Sequence, residues 1–250
     1  MVTPASVLLD DVGVAYRQGF AVEGVTGRFE AGSFTALVGP NGGGKSSLVK
    51  AIVGAVPLAA GRITVEGAVR RDIAYLPQRA DIDVGFPITV ADVVALGLWR
   101  RKGPFRRMGH ESQAAIGAAI AAVGLTGLEQ RPVGALSGGQ LQRALFARLI
   151  LQDAPILLLD EPFTGVDART IEDLLALMRT WHAEGRTLVV ALHDLALVRA
   201  VAPRTLVLSG RPIVWDDTDT ALRIAAERPR AVAAARPAAA RWPRWRGRAA

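Results

Sequence analysis

Apolar residues fall into three short unbroken runs separated by stretches with helical spacing. The first run, residues 34–38 (Phe-Thr-Ala-Leu-Val), ends at Gly39, and residues 47–56 then set Leu48, Ile52 and Val56 at one-turn intervals. This reads as strand, glycine loop, helix. The second run, 155–159 (Pro-Ile-Leu-Leu-Leu), and the third, 187–192 (Thr-Leu-Val-Val-Ala-Leu), have no polar alternation, the pattern of strands covered on both faces of a parallel sheet. A helical stretch over 168–183 lies between them. Alternation of buried strands and helices predicts an α/β sheet layered by helices.

Residues 90–151 have a different texture, mostly Ala, Leu, Gly and Arg with helical periodicity and no strand pattern. They predict a helical subdomain inserted into the sheet. Further on, residues 205–208 and 211–215 flank Ser209-Gly210 and predict a hairpin with Gly210 in its turn. From Glu227 onward, prolines at 229, 237 and 243 interrupt any helix and the composition narrows to Ala, Arg, Pro and Trp, as in extended or disordered tails. The organisation expected is a body over 1–226, with the insertion at 90–151, and a tail over 227–250.

Charge changes this picture only after it is located. The 250 residues carry 30 Lys and Arg against 23 Asp and Glu, a net +7 that suggests nucleic-acid binding. Residues 227–250 hold seven arginines and one acid, so six of those seven charges sit in the tail and the body is nearly neutral. No nucleic-acid partner is expected. The absence of cysteine excludes a disulfide framework, a thiolate metal site and a Cys nucleophile, and fits a reducing compartment. Residues 1–10 lack the basic start and apolar core of a signal peptide, and no apolar run approaches bilayer length. Any membrane role is therefore expected to need another chain that spans.

Gly39-Pro40-Asn41-Gly42-Gly43-Gly44-Lys45-Ser46, followed by Ser47, has the spacing of a phosphate-binding loop. Its glycines let backbone amides curl toward phosphate oxygens, and the following helix adds its positive end. Lys45 is expected to reach the β- and γ-phosphates and the Ser46 hydroxyl to ligate magnesium. Asp160-Glu161-Pro162 closes the second buried run, where ligands sit on open α/β sheets. There Asp160 is placed to hold the magnesium shell and Glu161 to take a proton from an attacking water. Alone, this would read first as an acidic turn ending a buried strand; paired with the phosphate loop it does not. Leu136-Ser137-Gly138-Gly139-Gln140 precedes a stretch with Leu141, Leu145 and Leu149 on one face. Ser137 and Gln140 form an S-x-x-Q capping box that starts a helix, and the same geometry is an anion site.

Taken together, the phosphate loop, the Leu-Ser-Gly-Gly-Gln stretch and the acidic strand end resemble the nucleotide-binding subunit of ABC transporters, across residues 6–215. The resemblance implies a P-loop NTPase with an ABC-type ATPase core: a mainly parallel sheet, N-terminal antiparallel strands and an inserted helical subdomain. It implies ATP and Mg2+ as cofactors, with the signature Ser137 to Gln140 of one subunit closing over ATP held by a second. Within the family's pattern Gln78, in Tyr75-Leu-Pro-Gln78, matches the Q-loop glutamine that contacts magnesium and water. Asp167, in Gly165-Val-Asp167, matches the D-loop across the dimer interface, and His193, in Leu192-His-Asp194, the switch histidine at the γ-phosphate. Tyr16 is the candidate for stacking on adenine. Gly43 stands where many members have alanine and Ser46 where threonine is common, and either hydroxyl can bind magnesium.

The partners implied are a second ATPase subunit, as a homodimer or with a close relative, an integral membrane permease and, indirectly, an extracytoplasmic substrate-binding protein. The location implied is the cytoplasmic face of the membrane, held peripherally. Phe86-Pro-Ile-Thr-Val-Ala-Asp-Val-Val-Ala-Leu-Gly97, the basic Gly103-Pro-Phe-Arg-Arg107 and Glu161-Pro-Phe-Thr-Gly-Val-Asp167 resemble the ATPases of zinc and manganese importers. Siderophore and cobalamin importers share a Thr-Val-x-Asp-Val-Val stretch, and Leu98-Trp99 departs from the Arg-Tyr pair of the metal group, so that alternative stays open. A soluble ABC ATPase acting on nucleic acid has only the basic balance for support. His110, His182 and His193 are scattered, so no site for a transported metal is expected in this chain. The cluster Arg100, Arg101, Lys102, Arg106 and Arg107 reads as a solvated loop or as a contact with a membrane subunit or its headgroups, and Trp242 and Trp245 give the tail the same two readings.

Overall fold

The computed structural model describes residues 3–17, 19–99 and 109–228. The basic cluster at 100–107 and the tail beyond Arg228, with Trp242 and Trp245, lie outside the described residues.

Two sheets organise the described chain. β1 (Ser6–Tyr16), β2 (Gly19–Phe29) and β4 (Ala60–Glu66) form an antiparallel sheet in the order β2-β1-β4. The larger sheet runs β5-β6-β7-β3-β8-β9, from β3 (Phe34–Val38), β5 (Ile73–Leu76), β6 (Ile156–Asp160), β7 (Thr187–Ala191), β8 (Arg204–Ser209) and β9 (Arg211–Asp217). All its neighbours are parallel except β8 and β9, which form the expected hairpin about Gly210. Every residue of β3, β6 and β7 is buried, as their unbroken apolar runs require.

The period of a strand divides those runs between two cores. Leu37, Leu158 and Val189 join one that includes α1 (Lys45–Val53) and the antiparallel sheet. Ala36, Leu157, Leu159 and Val190 face the other, built on α2 (Val90–Ala95), α3 (His110–Ala122), α4 (Gly138–Gln152) and α5 (Ala168–Ala183). Helices α6 (Leu195–Val201) and α7 (Thr218–Glu227) complete that side. α2, α3 and α4 occupy the stretch expected to be a helical insertion, and α5 has the bounds that its periodicity predicts.

Two boundaries differ from expectation. α1 stops at Val53 because Gly54, at φ 81, closes it in a left-handed cap whose N–H bonds the carbonyls of Ala51 and Lys50. α7 runs through Glu227, one residue into the expected tail. Asp217 caps its start by accepting from the Thr220 amide, and Pro229 interrupts the sequence only two residues beyond its end.

Candidate functional site

The loop from Gly39 to Gly44 turns the chain from β3 into α1 in a conformation closed to other residues at two points. Gly39 has φ 154 and a Cβ there would run into the carbonyl oxygen of Leu208. Gly44, at φ 92, would likewise meet the carbonyl oxygen of Ala21 on β2. Backbone from both sheets therefore presses on the loop, which is why its sequence is so rich in glycine. Gly39→Ala is expected to cost about 1–3 kcal/mol, since the clash is with backbone that cannot rotate away. A lowered urea midpoint at unchanged slope is the readout.

Lys45, at the first position of α1, is 5% exposed, and its ammonium donates to the carbonyls of Gly39 at 2.8 Å and Pro40 at 3.0 Å. Burial pulls its pKa down, and the nearby Glu161 and Asp160 carboxylates oppose that shift. One ammonium proton is left for an anion above the loop. The next residue, Ser46, donates from Oγ to Asp160 Oδ1 at 3.0 Å and accepts from Gln78 Nε2 at 2.8 Å. Asp160, at the end of β6, has no exposed surface, and burial pushes its carboxyl up. Its second oxygen, Oδ2, is buried without a hydrogen-bond partner. An unpartnered carboxylate oxygen beside a serine hydroxyl fits a small hard divalent cation such as magnesium.

Glu161 follows with φ 51, a left-handed conformation that costs a non-glycine residue about 1–2 kcal/mol. Its amide donates to the Ala191 carbonyl at 3.2 Å, while Thr164 Oγ donates to Oε2 at 3.3 Å. The twist turns Glu161 away from the buried line of Asp160 into a cavity of 450 Å³. Asn41 to Ser47, Gln78 and Glu161 all line that cavity.

The remaining candidates lie elsewhere. Tyr16 ends β1, 42% exposed, and is not among the residues lining the cavity. His193 is exposed and lines a separate 310 Å³ cavity with Gly39, Pro40 and the α7 residues Leu222, Ala225 and Ala226. Ser137, Gly138, Gly139 and Gln140 start α4, where Ser137 Oγ accepts from the Gln140 amide at 3.2 Å and Gln140 Oε1 accepts from the Ser137 amide at 3.0 Å. Asp167 caps α5 and packs beside them, a Cβ on Gly139 falling 3.1 Å from Asp167 Oδ2. Bonds from the Thr170 amide and hydroxyl hold the Asp167 carboxyl below its ordinary range. The chain thus carries one cluster at its phosphate loop and another at its signature, and does not close the second over the first.

Residues that the pattern did not single out also touch these clusters. Ala21 lines the phosphate-loop cavity, Lys50 pairs with Asp81, and Arg79 lies against Gly138 and Gly165. Lys50 was legible in part, being one turn beyond Ser46 on the same helix face. The others depend on segments far apart in sequence meeting in space.

Residues 22–164 match the family model described as ABC transporter. The chain is 42% identical to the zinc transport system ATP-binding protein TroB of Treponema pallidum, over 84% of this chain and 81% of that protein. It is 36% identical to the manganese transport system ATP-binding protein MntB of Bacillus subtilis, over 87% and 89%. Among solved structures it superposes with TM-score 0.76 on a dimeric ATP-binding cassette bound to ADP and Pi. That cassette is 24% identical and the alignment covers 85% of this chain and 98% of the other.

Proposed function

The chain belongs to the ABC transporter family as an ATP-hydrolysing, ATP-binding subunit, and from that premise we propose that it energises import of a metal ion, zinc or manganese, through a separate membrane permease. The observation that carries the metal reading is the identity to zinc and manganese transport ATPases along most of both chains. Siderophore or cobalamin import is the second reading, favoured by the departure at Leu98-Trp99. Cells carrying Lys45→Ala should lose accumulation of radioactive zinc or manganese; unimpaired uptake of both, with loss of siderophore or cobalamin uptake, selects the alternative.

In this proposal the loop from Gly39 to Ser47 wraps the phosphates with the backbone N–H groups of its non-proline residues, Lys45 neutralises the β- and γ-oxygens, and Tyr16 stacks on adenine. Ser46, Asp160 and Gln78 hold magnesium, which supplies charge neutralisation to the phosphates when bound. Glu161 accepts the proton of the attacking water, and the strained backbone that aims it into the cavity supports that role. Ser137, Gly138, Gly139 and Gln140 act on the ATP of a second copy, with Asp167 at the interface. The separation of the signature from the phosphate loop within one chain supports this, because only a partner can then complete the site. His193, which lines a cavity together with Gly39 and Pro40, takes the role of sensing the γ-phosphate in this proposal. Hydrolysis removes the charge that bridges the halves and lets them part.

No helix among the described residues is long and apolar enough to cross a membrane. The permease needs a surface here, and a 600 Å³ groove on the insertion side offers one. Phe86, Trp99, Ile88 and Leu96 line it, with Phe86 58% and Trp99 50% exposed and Asp83 and Asp92 also at the lining. Large exposed aromatics in a concave apolar strip suit an amphipathic helix of a membrane subunit. The basic cluster at 100–107 follows Trp99 directly, which supports placing this face toward the membrane at its cytoplasmic side. An extracytoplasmic binding protein would act on the permease, out of reach of this chain. Phe86→Asp is expected to abolish co-purification with the permease while leaving ATP hydrolysis by the isolated chain within about twofold, since surface changes of this kind rarely disturb a core.

A further inference from the structure

The 310 Å³ cavity beside His193 is walled chiefly by apolar side chains, with Leu195 at the start of α6 and Leu222, Ala225 and Ala226 on α7 among them. Leu195 is left 43% exposed there. The two alanines keep the space open, since a larger side chain at either position would take up part of it. At this volume the cavity stands at the lower end of the range of about 300–1,000 Å³ that holds small molecules, which suits one ring system rather than a partner helix. The chain also leaves its last helix at this spot. Ala226 lies two residues before Arg228, and residues 229–250 follow with six arginines, no acid and two aromatic side chains, Trp242 and Trp245. Exposed carboxylates adjoin the lining residues in the chain, Asp194 after His193 and Glu227 after Ala226. Asp194 Oδ1 accepts from the amides of Ala196 and Leu197, and Glu227 pairs with Arg223 one turn back.

We propose that this cavity is the docking site of the chain's own C-terminal segment, with the indole of Trp242 or Trp245 seated against Leu195 and Leu222 and the neighbouring arginines turned toward Asp194 and Glu227. Trp242 is 14 residues beyond Arg228. Random-coil statistics give a link of that length a root-mean-square span of about 20 Å, so a cavity lined by Ala225 and Ala226 lies within its reach. Such a tether holds the indole at an effective concentration of about 1 mM. A buried indole of ordinary affinity per atom has a dissociation constant of about 0.1 mM. At those values the cavity is filled about nine-tenths of the time. A seated indole abuts His193 and the Gly39-Pro40 end of the phosphate loop, which line the same cavity. Where His193 senses the γ-phosphate, as proposed above, docking restrains that side chain and slows hydrolysis; the docking itself does not depend on that role.

The test uses the full chain without nucleotide or lipid, at several protein concentrations. Emission from the two tail indoles is the difference between the wild type and the double variant Trp242→Ala, Trp245→Ala. In the wild type one of the two should be shielded from acrylamide at every protein concentration. Ala225→Leu, which fills the cavity from its α7 wall, should leave both open to the quencher. ATP turnover should rise by up to about tenfold in Ala225→Leu and in the tail double variant, as the undocked fraction goes from one-tenth to one. The three changes combined should give the same rise and not its square, because they break one contact. A packing effect of Ala225→Leu on α7 would instead add to that of the tail change. Indoles quenched equally in the wild type and in Ala225→Leu overturn the proposal. Shielding that is lost on dilution assigns the cavity to the tail of a second copy, and shielding that appears only with phosphatidylserine vesicles assigns the tail to a lipid surface; either result overturns it too. Shielding that Ala225→Leu removes while turnover stays unchanged upholds the docking and overturns the sensing role of His193 instead.

Discussion

Glu161→Gln is expected to lower ATP turnover by about 10²- to 10⁴-fold, the contribution of a positioned general base, while leaving ATP binding intact. The two side chains have the same shape, so the left-handed turn at residue 161 and the amide bond to Ala191 survive the change. What is lost is the carboxylate that faces the cavity between the phosphate loop and Gln78. In the proposed cycle, with hydrolysis blocked, nothing removes the γ-phosphate charge that bridges two copies. The variant should therefore elute as an ATP-dependent dimer on size exclusion, whereas the wild type returns to monomer as ATP is consumed. A Glu161→Gln chain that hydrolyses ATP at the wild-type rate would move the general base elsewhere.

Lys45→Ala should be more severe at the binding step. The ammonium is nearly buried and bonded to two loop carbonyls. Burial holds its pKa below the ordinary lysine value, and the neighbouring Glu161 and Asp160 carboxylates oppose that shift. Its loss removes charge-assisted bonds to the phosphates and should weaken ATP binding by about 10- to 100-fold. Turnover at saturating ATP should fall by a further factor of about 10² to 10³, the usual cost of deleting one group aimed at developing charge. It also unties the loop, because the carbonyls of Gly39 and Pro40 lose their common donor. Equilibrium binding of a fluorescent ATP analogue separates the two effects from a general loss of fold, which circular dichroism would report.

Much of this site was legible along the chain because its parts are local. The phosphate loop must follow a strand and open a helix, and eight consecutive residues state both requirements. The same is true of the capping box at Ser137 and Gln140 and of the acidic pair closing β6, each set by neighbours no more than three residues apart. Buried runs without polar alternation marked β3, β6 and β7 as interior strands of a parallel sheet. The antiparallel sheet was expected only through the resemblance. Within it, β4 has no fully buried residue, so its sequence lacks the strong apolar signal of an interior strand.

Sequence by itself thus determined the local conformation of each motif, the class of the fold and the near-neutral charge of the body. Tertiary structure decided which motifs share a cavity and which do not. It brought Gln78 and Asp160 onto Ser46 across separations of 32 and 114 residues, and left one oxygen of Asp160 buried without a partner. It set His193 in a different cavity and kept the signature apart from the loop. It also joined Arg79 to glycines at 138 and 165 and Asp81 to Lys50. The physical reason is range. Capping, turn geometry and strand burial are decided by bonds within a few residues, whereas the meeting of two loops is decided by how the sheet orders its strands and how two cores pack against its faces.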